Sequence, residues 1–165
     1  MIPQPLHPAV VHFPIVLMIL QPLAALLAVE AIRRGAAPRT AWGITFALSA
    51  ALFASAFVAT RTGSADEEVV EDVVAENVIE EHEESGERSM ILSGIALGVA
   101  TLGFVAGMVG QVGRFATLAG GAVLAVAGWQ VGHSGGELVY QHGASSAHVA
   151  RAEAGAGGDE AGAGG

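Results

Sequence analysis

The stretch AWGITFALSAALFASAFVAT, residues 41–60, runs without a single charge. Coiled as a helix, twenty residues span about 30 Å, the thickness of a bilayer's hydrocarbon core. In lipid, a lone segment can satisfy its backbone N–H and C=O groups only as a helix. The same pattern recurs on both sides. Residues 9–30, 89–110 and 115–133 are similarly long and apolar, so four spans are expected. Composition agrees: 52% of the 165 residues are hydrophobic and 14% charged, and mean hydropathy is +0.55. That is too little polar surface for a water-soluble globule of this size. The expected fold is all-α: a membrane four-helix bundle over residues 1–143. The N-terminus lacks a basic leader and its apolar run is long, so it is expected to remain as the first helix.

Several chemistries are excluded. Without cysteine there is no disulfide, thiolate metal site, iron–sulfur cluster or covalently attached c-type haem. Without lysine there is no Schiff-base amine. No serine sits in a nucleophile elbow, and four spans leave little room for alternating access, so neither a hydrolase nor a transporter is expected. The net charge of −9 is concentrated in residues 66–88, which repel nucleic acid and suit cations.

Orientation follows from arginine, because Lys/Arg-rich short loops stay on the cytoplasmic side. Loop 1–2 holds Arg33, Arg34 and Arg39, and the expected loop 3–4 holds Arg114. The chain is therefore expected to be multi-pass in a bacterial inner membrane, with both termini and the acidic loop outside. Arg61 and Arg88 argue mildly the other way. Small residues should supply the packing surface where lipid removes the hydrophobic drive. Candidates are Gly94 with Gly98, Gly103 with Gly107, Gly128 with Gly132, and Ala47, Ala51 and Ala54 on span 2.

In the acidic loop 64–88, Val70, Val74 and Val78 recur every fourth residue, the pattern of an amphipathic extramembrane helix between spans 2 and 3. His82 continues the stripe and should face inward. Residues 144–165 form an Ala/Gly-rich tail, expected to be disordered.

This topology gathers five histidines at the outer end: His7 and His12 before and in span 1, His82 before span 3, and His133 and His142 after span 4. His7 precedes Pro8 and is biased to a flanking position, whereas His12 lies about one turn inside. His12, His82 and His133 are the best cofactor-binding constellation, with His7 and His142 as a more exposed second ring. If the last helix continues past Ser134, Gly135 and Gly136, Glu137 and Tyr140 share a face with His133.

The strings LHPAVVHFPIVL (6–17) and GELVYQHG (136–143), with a histidine before the third helix, resemble the DUF2231 family of bacterial membrane proteins. The resemblance covers roughly residues 5–144. It implies a four-helix bundle akin to membrane b-type cytochromes, with His7, His12, His82, Tyr140 and His142 at motif positions. The strongly acidic loop departs from it.

Three functions compete. Haem b could sit between His12 and either His133 or His82, passing electrons to a membrane or periplasmic redox protein. A divalent zinc, copper or iron ion could be held by His7, His12, His82, His133, Glu137 or Glu83, and His142. Alternatively the protein is a cofactor-free accessory subunit, alone or in an oligomer. None of these requires an enzyme or a catalytic residue.

Overall fold

The computed structural model describes residues 6–151. Among the described residues the helices α1 His7–Val10, α2 His12–Arg33, α3 Pro38–Val70, α4 Glu76–Leu102 and α5 Gly107–Tyr140 run in order. No strand occurs among the described residues. The helix α1–α2 is one path interrupted at Val11. Pro14 has no N–H to give to the Val10 carbonyl, so the ladder breaks there. Helix α2 packs on α3 and α5, and α4 packs on both of these, closing a four-membered ring. Short connections make successive long helices antiparallel. One end of the bundle carries the connections 34–37 and 103–106, the other His7, the turn 71–75 and Tyr140.

The seam of each long helix has a spacing of three and four residues. On α3 the buried positions are Trp42, Thr45, Ser49, Leu52, Ala56 and Ala59; on α5 they include Gly110, Arg114, Thr117, Gly121, Leu124 and Gly128. A 3.5-residue repeat keeps one stripe facing its neighbours, as in a left-handed coiled coil. Large apolar side chains such as Leu27, Ile44, Ile95 and Val126 point away from the bundle. This inverts the pattern of a soluble bundle and fits an exterior solvated by lipid.

The glycine expectation is met in part. A Cβ at Gly103 would collide with the Trp42 indole, and one at Gly128 would lie 2.6 Å from Met18 Sδ. Gly98 faces open space, and Ala47, Ala51 and Ala54 are exposed rather than packed. The seam of α3 lies on its other side.

Three stretches are long and apolar enough to cross a bilayer: His7–Arg33, Pro38–Glu67 and Gly107–Tyr140. Helix α4 differs, because its first half is acidic and its apolar part begins at Ser89. The apolar run expected as one span over 89–110 is cut by a turn at 103–106. Gly107 supplies the left-handed φ of 71° from which α5 starts. Arg114 is consequently not a loop residue. It lies in the second turn of α5, 9% exposed, and its Nε donates to the Gly103 carbonyl over 2.9 Å. Trp42 Nε1 donates to the Ala100 carbonyl over 2.8 Å. The Ala100 carbonyl also accepts from the Gly103 N–H, so Trp42 is its second donor, and Arg114 places a cation at the negative end of the α4 dipole.

The acidic segment is likewise not a separate helix. Helices α3 and α4 extend beyond the apolar region and meet at the turn 71–75, forming a helical hairpin. Its inner side is the expected stripe, with Val74, Ile79 and Ala144 buried together and Val70, Val78 and Leu138 against them. Ala144 belongs to the segment expected to be disordered. Residues 144–151 are helical, with Ala147 buried as well, because small side chains there fit against the hairpin. The rest of that tail, 152–165, lies outside the described residues.

Candidate metal centre

The histidine end brings two imidazoles together, and they are not the expected set. His7 and His12 are five residues apart, which on a helix means about 140° of separation, so they cannot share a face. Here His7 turns inward and His12 outward. The His7 ring leans on α3 beside Gly63, where a Cβ would approach its Cε1 to 3.1 Å. His82, on α4, leans in the same way on Gly135 of α5, again at 3.1 Å. The two rings meet edge to face, their centroids 6.2 Å apart. Glycine at 63 and 135 makes the space in which they meet.

Hydrogen bonding anchors Nδ1 of each ring and, for His7, fixes which nitrogen carries the proton. His7 Nδ1 lies 2.9 Å from the Ala59 carbonyl, which can only accept, so Nδ1 is the protonated nitrogen. His82 Nδ1 lies 2.9 Å from Ser134 Oγ. Ser134 Oγ also lies 3.2 Å from the Val131 carbonyl: with its proton there it accepts from His82 Nδ1–H, and with its proton on His82 Nδ1 it donates. The His7 ring therefore presents an unprotonated Nε2, and neither ring's Nε2 is hydrogen-bonded among the described residues. Burial, with the His7 ring as a second cause, pushes the His82 pKa down to about 4. That ring is neutral at physiological pH. Asp66 Oδ2 accepts from the His7 backbone N–H over 3.2 Å and places a carboxylate beside the pair.

The remaining candidates lie elsewhere. His12 and His142 are exposed. His133 is stacked on Trp129, with centroids 5.3 Å apart and planes 2° from parallel, on the outer surface of α5. Helix α5 does continue past Ser134, Gly135 and Gly136, and His133 Nε2 lies 3.6 Å from Glu137 Oε1, with both side chains largely exposed. Tyr140 is 89% exposed. Glu83 accepts from Ser64 at 3.4 Å on the exposed side of the hairpin. Among the described residues, no group of three His, Asp or Glu side chains converges as a ready-made metal cage. Ser134, Ala59, Gly63 and Gly135 were not singled out by sequence reasoning as parts of the site. A carbonyl has no sequence signature, but a Ser-Gly-Gly run inside a continuous helix could have marked the place where a ring approaches.

Helices of this length and polarity, packed by small and hydroxylated residues, define a polytopic α-helical membrane protein with a pair of histidines at one end. A family model described as "Predicted membrane protein (DUF2231)" matches residues 3–148, and the chain belongs to that family. No curated protein and no solved structure matches the chain.

Proposed function

We propose that the protein binds a late first-row transition-metal ion through Nε2 of His7 and Nε2 of His82, as a metal carrier or electron-transfer component of the bacterial cell membrane. The observation that carries this reading is that both rings are anchored through Nδ1 and meet edge to face with Nε2 unengaged. His7 Nδ1–H donates to the Ala59 carbonyl and His82 Nδ1 pairs with Ser134 Oγ; an Nδ1 held by an oxygen partner is what orients metal-ligating histidines. Neutral imidazoles suit copper and zinc in particular. Two protein ligands leave coordination positions for water, Asp66 or a group from a partner protein. Arg33, Arg34 and Arg39, at or beside the connection 34–37 at the opposite end, support a site on the outer, periplasmic side. Haem b fits less well. It needs a slot as wide as the macrocycle, whereas both rings rest on helix backbones at Gly63 and Gly135.

The test is equilibrium dialysis of the purified full chain against copper and zinc, with a visible spectrum of protein expressed with added haem precursor. His7→Ala and His82→Ala should each lower affinity at least a hundredfold. Ser134→Ala should lower it about tenfold, the order expected of an outer-shell partner. His12→Ala and His133→Ala should leave it unchanged. A Soret band in the protein as purified would replace this reading with the haem one. Binding abolished by His12→Ala but not by His7→Ala would overturn it.

A further inference from the structure

Arg114 is a buried cation that the bundle does not neutralise. It is 9% exposed, and its Nε donates to the Gly103 carbonyl. Among the described residues it joins no ion pair, and neither of its Nη groups is hydrogen-bonded. Side chains on a helix lean toward its N-terminus. Arg114 does so: its Cα lies roughly 10 Å along α5 from Gly107, yet its Nη2 lies 3.4 Å from where a Cβ on Gly110 would stand, in the first turn.

That turn has unmet donors of its own. Ala106 caps α5 from extended backbone but has no side-chain oxygen to offer, and the first turn holds no acidic residue. The N–H groups of Gly107, Met108 and Val109 have no acceptor among the described residues. A helix start acts as about half a positive charge and a helix end as about half a negative one. The end of α4 and the start of α5 adjoin across 103–106, so the two offset and the guanidinium's full charge remains. A buried charge without a partner is costly. Glu30, the one carboxylate at this end among the described residues, is held by Arg34.

We infer that Arg114 and the start of α5 bind the phosphate of an anionic phospholipid, in the leaflet at the arginine-rich end. A phosphodiester carries one negative charge and two unesterified oxygens. One oxygen accepts from Arg114 Nη and the other from the N–H groups of the first turn, both favoured partners of phosphate. The surroundings favour a lipid over free phosphate. Met108, Val112 and Phe115, spaced four and three residues apart, form an exposed apolar face of α5 that leads from the first turn into the membrane. Acyl chains joined to the phosphate lie along that face. Arg33, Arg34 and Arg39 at the same end add attraction for an anionic headgroup. The site is at the opposite end of the bundle from His7 and His82, and stands or falls without the metal reading.

The test is native mass spectrometry of the full chain, purified in a non-ionic detergent and offered phosphatidylglycerol or phosphatidylcholine with the same acyl chains. The wild type should retain phosphatidylglycerol roughly tenfold more strongly. Arg114→Gln and Ala106→Asp should each abolish that preference. Ala106→Asp decides if Arg114→Gln does not fold: an aspartate at the N-cap supplies the anion from within the chain, so thermal stability should hold or rise while the lipid is lost. Arg33→Gln, which removes an exposed charge at the same end, should keep the preference. Equal retention of the two lipids by the wild type would overturn the inference. So would a preference that survives in Ala106→Asp, or one lost equally in Arg33→Gln. Titration with inorganic phosphate separates the sources. Its affinity should be about a hundredfold below that of phosphatidylglycerol, because it has no chains to bury; equal affinity would assign the site to free phosphate and overturn the lipid reading.

Discussion

His82 carries the clearest consequence at the scale of single residues. In an unfolded chain it would take up a proton near 6.5, whereas in the fold it stays neutral down to about 4. Between those values the unfolded state binds more protons, so stability rises with pH across this window and falls as the medium is acidified from 6.5 toward 4. The shift corresponds to about 3 kcal/mol at most, reduced by the partial exposure of the ring. A thermal-melting profile of metal-free protein should show that acid-side decline, and His82→Gln, which cannot titrate, should remove its share. A profile unchanged by His82→Gln would mean that the ring is not buried as described. The sequence showed that histidines gather at one end and that His82 turns inward with its stripe. It expected His7 to be the more exposed of the pair, whereas in the fold His12 is exposed and His7 half-buried, because helical spacing separates their two faces.

Among the elements, the fourth helix was the least legible. Hydropathy reports what faces lipid, and the run from Ser89 to Gln111 is apolar throughout, so nothing in it marks the turn at 103–106. What ends α4 is tertiary: the Trp42 indole over Gly103 and the Arg114 guanidinium on the Gly103 carbonyl. Gly103→Ala should therefore destabilise the bundle by about 1–3 kcal/mol through overpacking. Gly98→Ala, with open space around it, should be neutral or stabilising by up to about 1 kcal/mol through helix propensity. Reversible unfolding in mixed micelles would rank the two, and equal effects would contradict the packing described. The acidic hairpin makes a similar contrast. Val74→Asp places a charge among Ile79 and Ala144 and should cost about 3 kcal/mol or more. Glu71→Gln, at an exposed position, should change stability by less than about 0.5 kcal/mol. Equal tolerance of both substitutions would mean that the hairpin does not pack.

For the whole molecule, the sequence made the membrane class and the helical architecture plain, because a bilayer imposes length and apolarity on every span. The inner seam was not legible, since its Gln, Ser, Thr and Gly positions look like interruptions until the 3.5-residue repeat is drawn through them. Orientation now rests on Arg33, Arg34 and Arg39 rather than on Arg114. Single cysteines at Ala36 and Ser64 should label from opposite sides of intact cells, Ser64 from outside. Labelling of Ser64 only after lysis would reverse the orientation and put the histidine pair inside. The central claim is that His7 and His82 act as one site. X-ray absorption spectroscopy of the copper- or zinc-loaded protein tests it most directly, because it counts imidazole ligands at the ion. Two imidazoles are expected in the wild type and in His12→Ala, and one in His7→Ala and in His82→Ala at ion concentrations that still load them. Two imidazoles persisting in His7→Ala, or none in the wild type, would contradict it.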